Sequence, residues 1–214
     1  FVSIRKQILT NWKIIEKPES NMEWNLMAVA AFVLFFIYDW NSIHRKNRVV
    51  QRFFGLGTAV LAVSAVGCLI QQKRNITWEV WQTAVFLAAF LLAVGLLVYT
   101  LFFAIPFDET YLKESESRNA CTEKMYALCR HPGVLWLAAV LGICAWYKWN
   151  IATLGYAVVV TVCNLCYVIY QDMLIFPATF QNYREYRRKT PFLIPDKESI
   201  RTCIKDYKQK GKHR

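Results

Sequence analysis

The sequence predicts an all-α, polytopic integral membrane protein of about five transmembrane helices, with its N-terminus outside and its C-terminus cytoplasmic. Three observations carry this. Of the 214 residues, 56% are hydrophobic, and they are gathered into nearly charge-free blocks and not spread with a helical or strand period. The connectors between blocks are short and basic, and the C-terminal stretch is almost wholly polar. Lys and Arg also fall unevenly between the two sides that those blocks define. A helix that is apolar on every side needs lipid as its solvent, and a hydrocarbon core of about 30 Å takes roughly 20 helical residues. The length therefore accommodates one membrane domain.

Residues 1–23 read as an interfacial, amphipathic lead-in, in which Ile4, Ile8, Leu9, Trp12 and Ile15 recur at near-helical spacing. That pattern suits a packed surface helix or a membrane-targeting segment, and it does not resemble a cleavable signal peptide. Residues 24–77 hold two spans, Trp24 to Trp40 and Phe53 to Ile70, the first flanked by interfacial aromatics. Residues 78–195 hold three more. Trp78 to Ile105 is long enough to cross with tilt and stops at Pro106; Pro132 to Tyr147 is the shortest; Ile151 to Phe176 stops at Pro177. Only Lys148 and its neighbours separate the last two, which predicts a tight antiparallel hairpin. Residues 196–214 form a basic cytoplasmic tail. There is no internal repeat and no low-complexity tract.

Charge sets the orientation. The 40–52 connector, the 107–131 loop and the C-terminal tail together hold nineteen of the 26 Lys and Arg, against seven on the opposite side. Positive residues stay cytoplasmic. The net charge of +11 then lies at an anionic leaflet, and because the basic residues sit beside spans, no nucleic-acid partner is expected. Among the seven cysteines only Cys163 and Cys166 form a C-x-x-C, one helical turn apart inside an apolar span. They read as small buried hydrophobes in preference to a redox or zinc site, and no metal site is predicted.

Two segments on the basic side suggest chemistry. Thr122 to Pro132 runs straight into the fourth span through Tyr126, Arg130 and His131. Pro132 suits the first helical position, and the helix start offers backbone donors and a positive dipole end to an anionic group such as a carboxylate. The competing reading makes Arg130 a snorkelling anchor and His131 a solvated cap. The second segment is Gln171-Asp172 at the end of the fifth span, followed by Tyr183, Tyr186 and Thr190-Pro191-Phe192-Leu193-Ile194-Pro195. A carboxylate near a span end is costly unless paired or wet, which makes Asp172 a functional candidate and Arg130 its partner across the hairpin. A purely structural ion pair is the alternative.

T-x-x-x-Y-x-x-x-R-H-P entering a helix, a polar pair about forty residues later, then Y-x-x-Y and a proline-bounded apolar ending resembles the isoprenylcysteine carboxyl methyltransferase and phospholipid methyltransferase superfamily. The resemblance covers roughly residues 78–195. It implies a membrane-embedded methyltransferase that uses S-adenosyl-L-methionine at a cytoplasmic pocket, with a lipidic or small apolar acceptor reached from the bilayer. Carried over, Tyr126, Arg130, His131, Pro132, Gln171, Asp172, Tyr183 and Tyr186 surround the cofactor, and Arg184, Arg187 and Arg188 lie near the pocket mouth. Arg130, His131 and Asp172 are the implied catalytic set: Asp172 on the cofactor's amino group or ribose, Arg130 on its carboxylate, His131 packed beside it. The expected location is a bacterial plasma membrane in preference to the endoplasmic reticulum. The chain departs from the pattern at Lys124 and Met125 (usually Gly-Pro), at Val134 and Trp136 (usually Tyr and Gly), and at Gln171 (usually a carboxylate). Two further readings stand beside this one, an NADPH-dependent sterol-reductase-like enzyme with a similar R-H-P signature and a non-catalytic binding or scaffold relative.

Overall fold

A computed structural model describes residues 21–104 and 119–210; the lead-in over 1–20 and the loop over 105–118 lie outside the described residues. The regular elements among the described residues are all helices, with no strand among them. The elements are α1 (Met22–His44), α2 (Arg48–Gln51), α3 (Phe53–Gln71), α4 (Val80–Val98), α5 (Met125–Leu128), α6 (Pro132–Lys148), α7 (Ile151–Tyr170), α8 (Phe176–Thr179), α9 (Tyr183–Lys189) and α10 (Lys197–Lys210). Two π turns, Tyr99–Phe103 and Gln171–Ile175, extend α4 and join α7 to α8.

Four segments are long and apolar enough to cross a membrane: Met22–His44, Arg48–Gln71, Val80–Leu101 and Ile151–Thr179. The fifth apolar helix, α6, has 17 residues, which at 1.5 Å per residue is about 26 Å and just under a hydrocarbon thickness. The first span is longer than the run from Trp24 to Trp40. The third begins after Trp78, whose indole N–H instead donates to the Tyr147 carbonyl at 3.1 Å.

Lateral order is α3, α1, α7, α6, α4. Small side chains let α1 and α3 approach closely, with Ala28, Ala31, Ser64 and Cys68 all buried between them. An aromatic core of Phe32, Phe35 and Tyr167 fills the α1–α7 seam. Ser64 Oγ meets the buried Tyr156 hydroxyl at 2.6 Å, so that phenol does not lie unpaired in an apolar core. α4 is the opposite case. Only 11% of its most apolar window is buried within the protein, and Leu91 and Leu92 are 66% and 65% exposed. A helix so apolar and so little covered by the described protein suits lipid as its solvent.

Side-chain contacts sort into two ends. At one, Asn21 bonds Gln72, Lys148 Nζ donates to the Gln72 carbonyl at 2.8 Å, and Asn150 Nδ2 donates to the Lys73 carbonyl at 3.2 Å. Lys148 thus satisfies the C-terminal end of α3, where a cation also suits the dipole. The α6–α7 hairpin turns here as predicted. Trp149 takes the left-handed conformation that closes α6 (φ 48°), and Asn150 caps α7 by accepting from the Ala152 N–H at 2.8 Å. At the other end lie His44, Tyr99, Arg130, Asp172 and α10, so α1, α3, α4, α6 and α7 alternate in direction.

Glycine marks a close approach of α1 and α3. A Cβ at Gly57 would lie 2.8 Å from the Phe35 ring and 3.0 Å from the Ala31 carbonyl oxygen, whereas one at Gly55 would meet nothing within 4 Å. Gly57→Val is expected to cost about 1–3 kcal/mol by overpacking, and Gly55→Ala to be neutral or stabilising by up to about 1 kcal/mol. Thermal unfolding of detergent-purified variants checks both.

Candidate functional site: a buried carboxylate held by three chain segments

The site is built from a short loop that a proline ends. After α5 the chain passes through Cys129 in extended backbone and bends at Arg130, and Pro132 then starts α6, where a missing N–H costs nothing. The loop's own donors turn outward. Arg130 N–H donates to the Pro191 carbonyl at 2.9 Å and His131 N–H to the Phe192 carbonyl at 3.3 Å. The proline-bounded stretch after α9 is thereby laid alongside the R-H-P segment.

Asp172 sits in the π turn that follows α7, its side chain 3% exposed, against 8% for Arg130. The guanidinium grips the carboxylate bidentately, Nε to Oδ1 at 2.8 Å and Nη2 to Oδ2 at 3.2 Å, while Nη1 donates to the carbonyls of Arg187 and Thr190 at 2.9 and 2.8 Å. The Tyr183 hydroxyl donates to Oδ1, His131 Nε2 lies 3.3 Å from the same oxygen, and Arg187 Nε lies 3.5 Å from Oδ2. Phe192 packs under the Arg130 guanidinium at 5.5 Å and edge-on to the His131 ring. An ionised carboxylate at a span end is tolerable only with such a set of donors.

The surrounding groups are tuned by burial. Desolvation draws the His131 pKa below its ordinary value of 6.5, against the opposing pull of Asp172, so the ring is neutral at pH 7. Burial, reinforced by Asp172, raises the Tyr183 phenol well above its ordinary value, and burial pushes the Cys129 thiol up to about 11. Cys129 is therefore no nucleophile at neutral pH.

The structure brings together Arg130, His131, Asp172 and Tyr183, with Pro132 buried at the start of α6. Tyr186 and Tyr126 form an adjoining brace: the Tyr186 hydroxyl donates to the Tyr126 carbonyl at 2.7 Å, and the Tyr126 hydroxyl to the Thr100 carbonyl at 3.2 Å. Gln171 is placed elsewhere. Its amide donates to Asp39 Oδ2 on α1 at 2.9 Å, and Tyr167 also bonds that carboxylate. Gln171 and Asp172 thus serve two different contacts and do not act as a pair. Of the arginines expected at the pocket mouth, Arg187 faces Asp172. Arg188 lines a cleft of about 610 Å³ between α5, α9 and α10, and Arg184 is exposed beside neither.

Sequence reasoning missed Asp39, although a carboxylate inside an apolar run carries the same signal as Asp172. It also missed Thr100 Oγ1 and Trp136 Nε1, both buried without a hydrogen-bond partner. Among the described residues no cluster of His, Cys, Asp or Glu is placed to hold a metal ion.

Fold and site together define, among the described residues, an all-helical protein with four helices long and apolar enough to cross a membrane and a buried Arg–Asp–His–Tyr cluster at one end of its bundle. Comparison with protein-family models, curated proteins and solved structures finds no match for the chain.

Removing one partner of a buried pair strands the other charge. Arg130→Met is expected to destabilise by about 3–5 kcal/mol, and Arg130→Met with Asp172→Leu by clearly less than the sum of the single changes. Unfolding of the four proteins in one double-mutant cycle measures this. For His131, whose folded pKa is depressed, the unfolded chain binds the extra proton. Stability should therefore fall as pH drops through about 6.5 towards the folded value, and His131→Gln should flatten that slope between pH 7 and 5.

Proposed function

We propose that the chain is a five-span membrane enzyme, N-terminus out and C-terminus cytoplasmic, that transfers a methyl group from S-adenosyl-L-methionine to a lipidic or small apolar acceptor. One observation carries the proposal. The three separated segments that the methyltransferase resemblance singles out, Tyr126–Pro132, Asp172 and Tyr183–Pro195, converge on a single buried carboxylate. They do so at the end of the bundle where the basic connectors lie, the side on which a soluble cofactor is available.

The roles differ from those the resemblance implies. Arg130 and Asp172 already satisfy each other, so they act as positioning residues that hold the loop, the π turn and α9 in register. Groups left for a ligand are the half-exposed Arg187 guanidinium and those first-turn N–H donors of α6 that follow Pro132 and are not, like that of Val134, already bonded to the His131 carbonyl; no side chain caps them. The buried, unpartnered Thr100 hydroxyl and Trp136 indole N–H sit on the neighbouring elements. A carboxylate on Arg187 and the α6 start, with polar contacts at Thr100 and Trp136, suits an amino-acid-bearing nucleoside cofactor. That cofactor supplies an already electrophilic methyl; the chain aligns it with the acceptor. Since every titratable group in the cluster is engaged, an acceptor arriving as carboxylate or thiolate fits best, needing no base. Met173 and Leu174, 58% and 56% exposed in the same π turn, bring the lipid within one side chain of Asp172. A bacterial plasma membrane is the setting this reading favours.

The saturation of Arg130 and Asp172 also favours a second reading, a non-catalytic relative in which the cluster is a structural strut. Ligand stabilisation separates them. S-adenosylhomocysteine in hundredfold excess over its Kd is expected to add about 2.7 kcal/mol to the stability of the detergent-purified chain. Arg187→Gln is expected to weaken that binding about tenfold, consistent with loss of one charge-assisted contact, while Arg184→Gln leaves it unchanged. Stabilisation by NADPH alone would favour a reductase, and no response to either ligand the strut.

A further inference from the structure

Three faces of the C-terminal helix α10 matter here, and only one of them packs against the described protein around it. Asp196 starts it through a reciprocal cap, Oδ1 accepting from the Ser199 N–H at 2.8 Å and Ser199 Oγ from the Asp196 N–H at 3.0 Å. The face bearing Ser199, Cys203 and Asp206 packs inward on α5; Ser199 and Cys203 are buried, and Asp206 Oδ2 accepts from the Lys124 N–H at 3.2 Å. A second face carries Lys197, Arg201, Lys205 and Lys208, at helical spacing and all exposed. Between them runs a third, apolar face, Ile200, Ile204 and Tyr207 at i, i+4 and i+7, which are 42%, 49% and 40% exposed.

The position of that apolar face identifies its solvent. The Tyr207 hydroxyl donates to the Tyr99 hydroxyl at 3.1 Å, and Tyr99 belongs to Val80–Leu101, the span least covered by protein. The stripe is therefore continuous with the lipid-facing surface at the rim of the bundle. Tyrosine pairs at such a rim mark the headgroup level. Beside it lies a row of four cations, as in helices that lie in the plane of an interface.

We propose that α10 seats on the membrane surface as an amphipathic latch, Ile200, Ile204 and Tyr207 entering the headgroup–acyl boundary and Lys197, Arg201, Lys205 and Lys208 binding anionic lipid headgroups. The partner is the bilayer itself and not a second protein, because the apolar stripe meets the lipid-facing span edge and the flanking charge complements an anionic leaflet. Through Asp206 the latch also holds Lys124, which adopts φ 56° at the start of the loop leading to Arg130. This inference rests on the membrane reading alone and is independent of any methyl transfer.

The test is hydrogen exchange of backbone amides in 197–210, measured on the full chain in nanodiscs of phosphatidylcholine and of phosphatidylcholine with phosphatidylglycerol. Exchange is expected to be at least about tenfold slower with the anionic lipid, and the difference to shrink with added salt. Replacing Lys197, Arg201, Lys205 and Lys208 by Gln should abolish the lipid dependence; Ile200→Ser with Ile204→Ser should speed exchange in both discs. Exchange from α7 serves as the folding control, so that a variant which fails to assemble is recognised. Equal exchange in the two lipids, or protection that tracks protein density in the disc and not lipid charge, overturns the proposal.

Discussion

Asp172 is the residue around which the basic end of this molecule is organised. It lies in a π turn at the end of a span and cannot remain ionised in apolar surroundings without donors on both oxygens. Those donors come from two places far apart in sequence, the Arg130–His131 loop and α9 through Tyr183 and Arg187. Satisfying one carboxylate therefore fixes α6, α7 and α9 against one another. A buried ion pair adds little net stability compared with a well-packed apolar substitute, but a half-satisfied one is strongly penalised. Its effect is consequently on register. Arrangements that slide the loop by one residue replace Arg130 with Cys129 or His131 and leave the carboxylate unpaired.

The two ends of the bundle solve the same problem with different chemistry. Where Asn21, Gln72, Lys148 and Asn150 meet, the groups to be satisfied are helix-terminal carbonyls, and amides with one lysine suffice. These contacts join residues 51 to 77 positions apart, so they too tie separate spans together. At the other end the satisfied group is a charge, and the carbonyls of Arg187 and Thr190 are recruited to complete the guanidinium shell. Four of the five donors of Arg130 are thereby used, and the guanidinium left half-exposed beside the cluster is that of Arg187.

Much of the fold was legible because lipid imposes simple rules. Apolar length marked the four helices long enough to cross a membrane and the shorter α6, Pro132 marked the start of α6, and the two residues between α6 and α7 marked a hairpin. Arg130 and Asp172 were legible as partners because both are costly beside a membrane and the hairpin returns them to the same side. What was not legible depends on azimuth. Adjacent residues on a helix point about 100° apart, so Gln171 faces Asp39 on α1 while Asp172 faces the loop, and their adjacency in sequence suggested a pair that does not exist. The same limit hid the first span's part in this end of the molecule. The π turns shift azimuth again, and no local composition announces them. Backbone acceptors such as Pro191 and Phe192 are invisible for another reason: every residue carries a carbonyl, and only the fold decides which are unspent.

The loop that carries Arg130 is held from two further directions. Tyr186 reaches the Tyr126 carbonyl from α9, and Asp206 reaches the Lys124 N–H from α10. Asn182 adds a third hold by pairing with both backbone groups of Ala120, N–H to Oδ1 at 2.7 Å and Nδ2 to carbonyl at 3.1 Å. α5 itself is a single turn, too short to be stable by its own hydrogen bonds. Its geometry is therefore dictated by elements that follow it by sixty to eighty residues, and the C-terminal segment is as much part of the site's framework as the spans are. A change that frees α10 acts first on Lys124, next on the α5 turn, and only then on Arg130. The Asp172 pair, anchored separately by Tyr183, is the last contact in that sequence to yield.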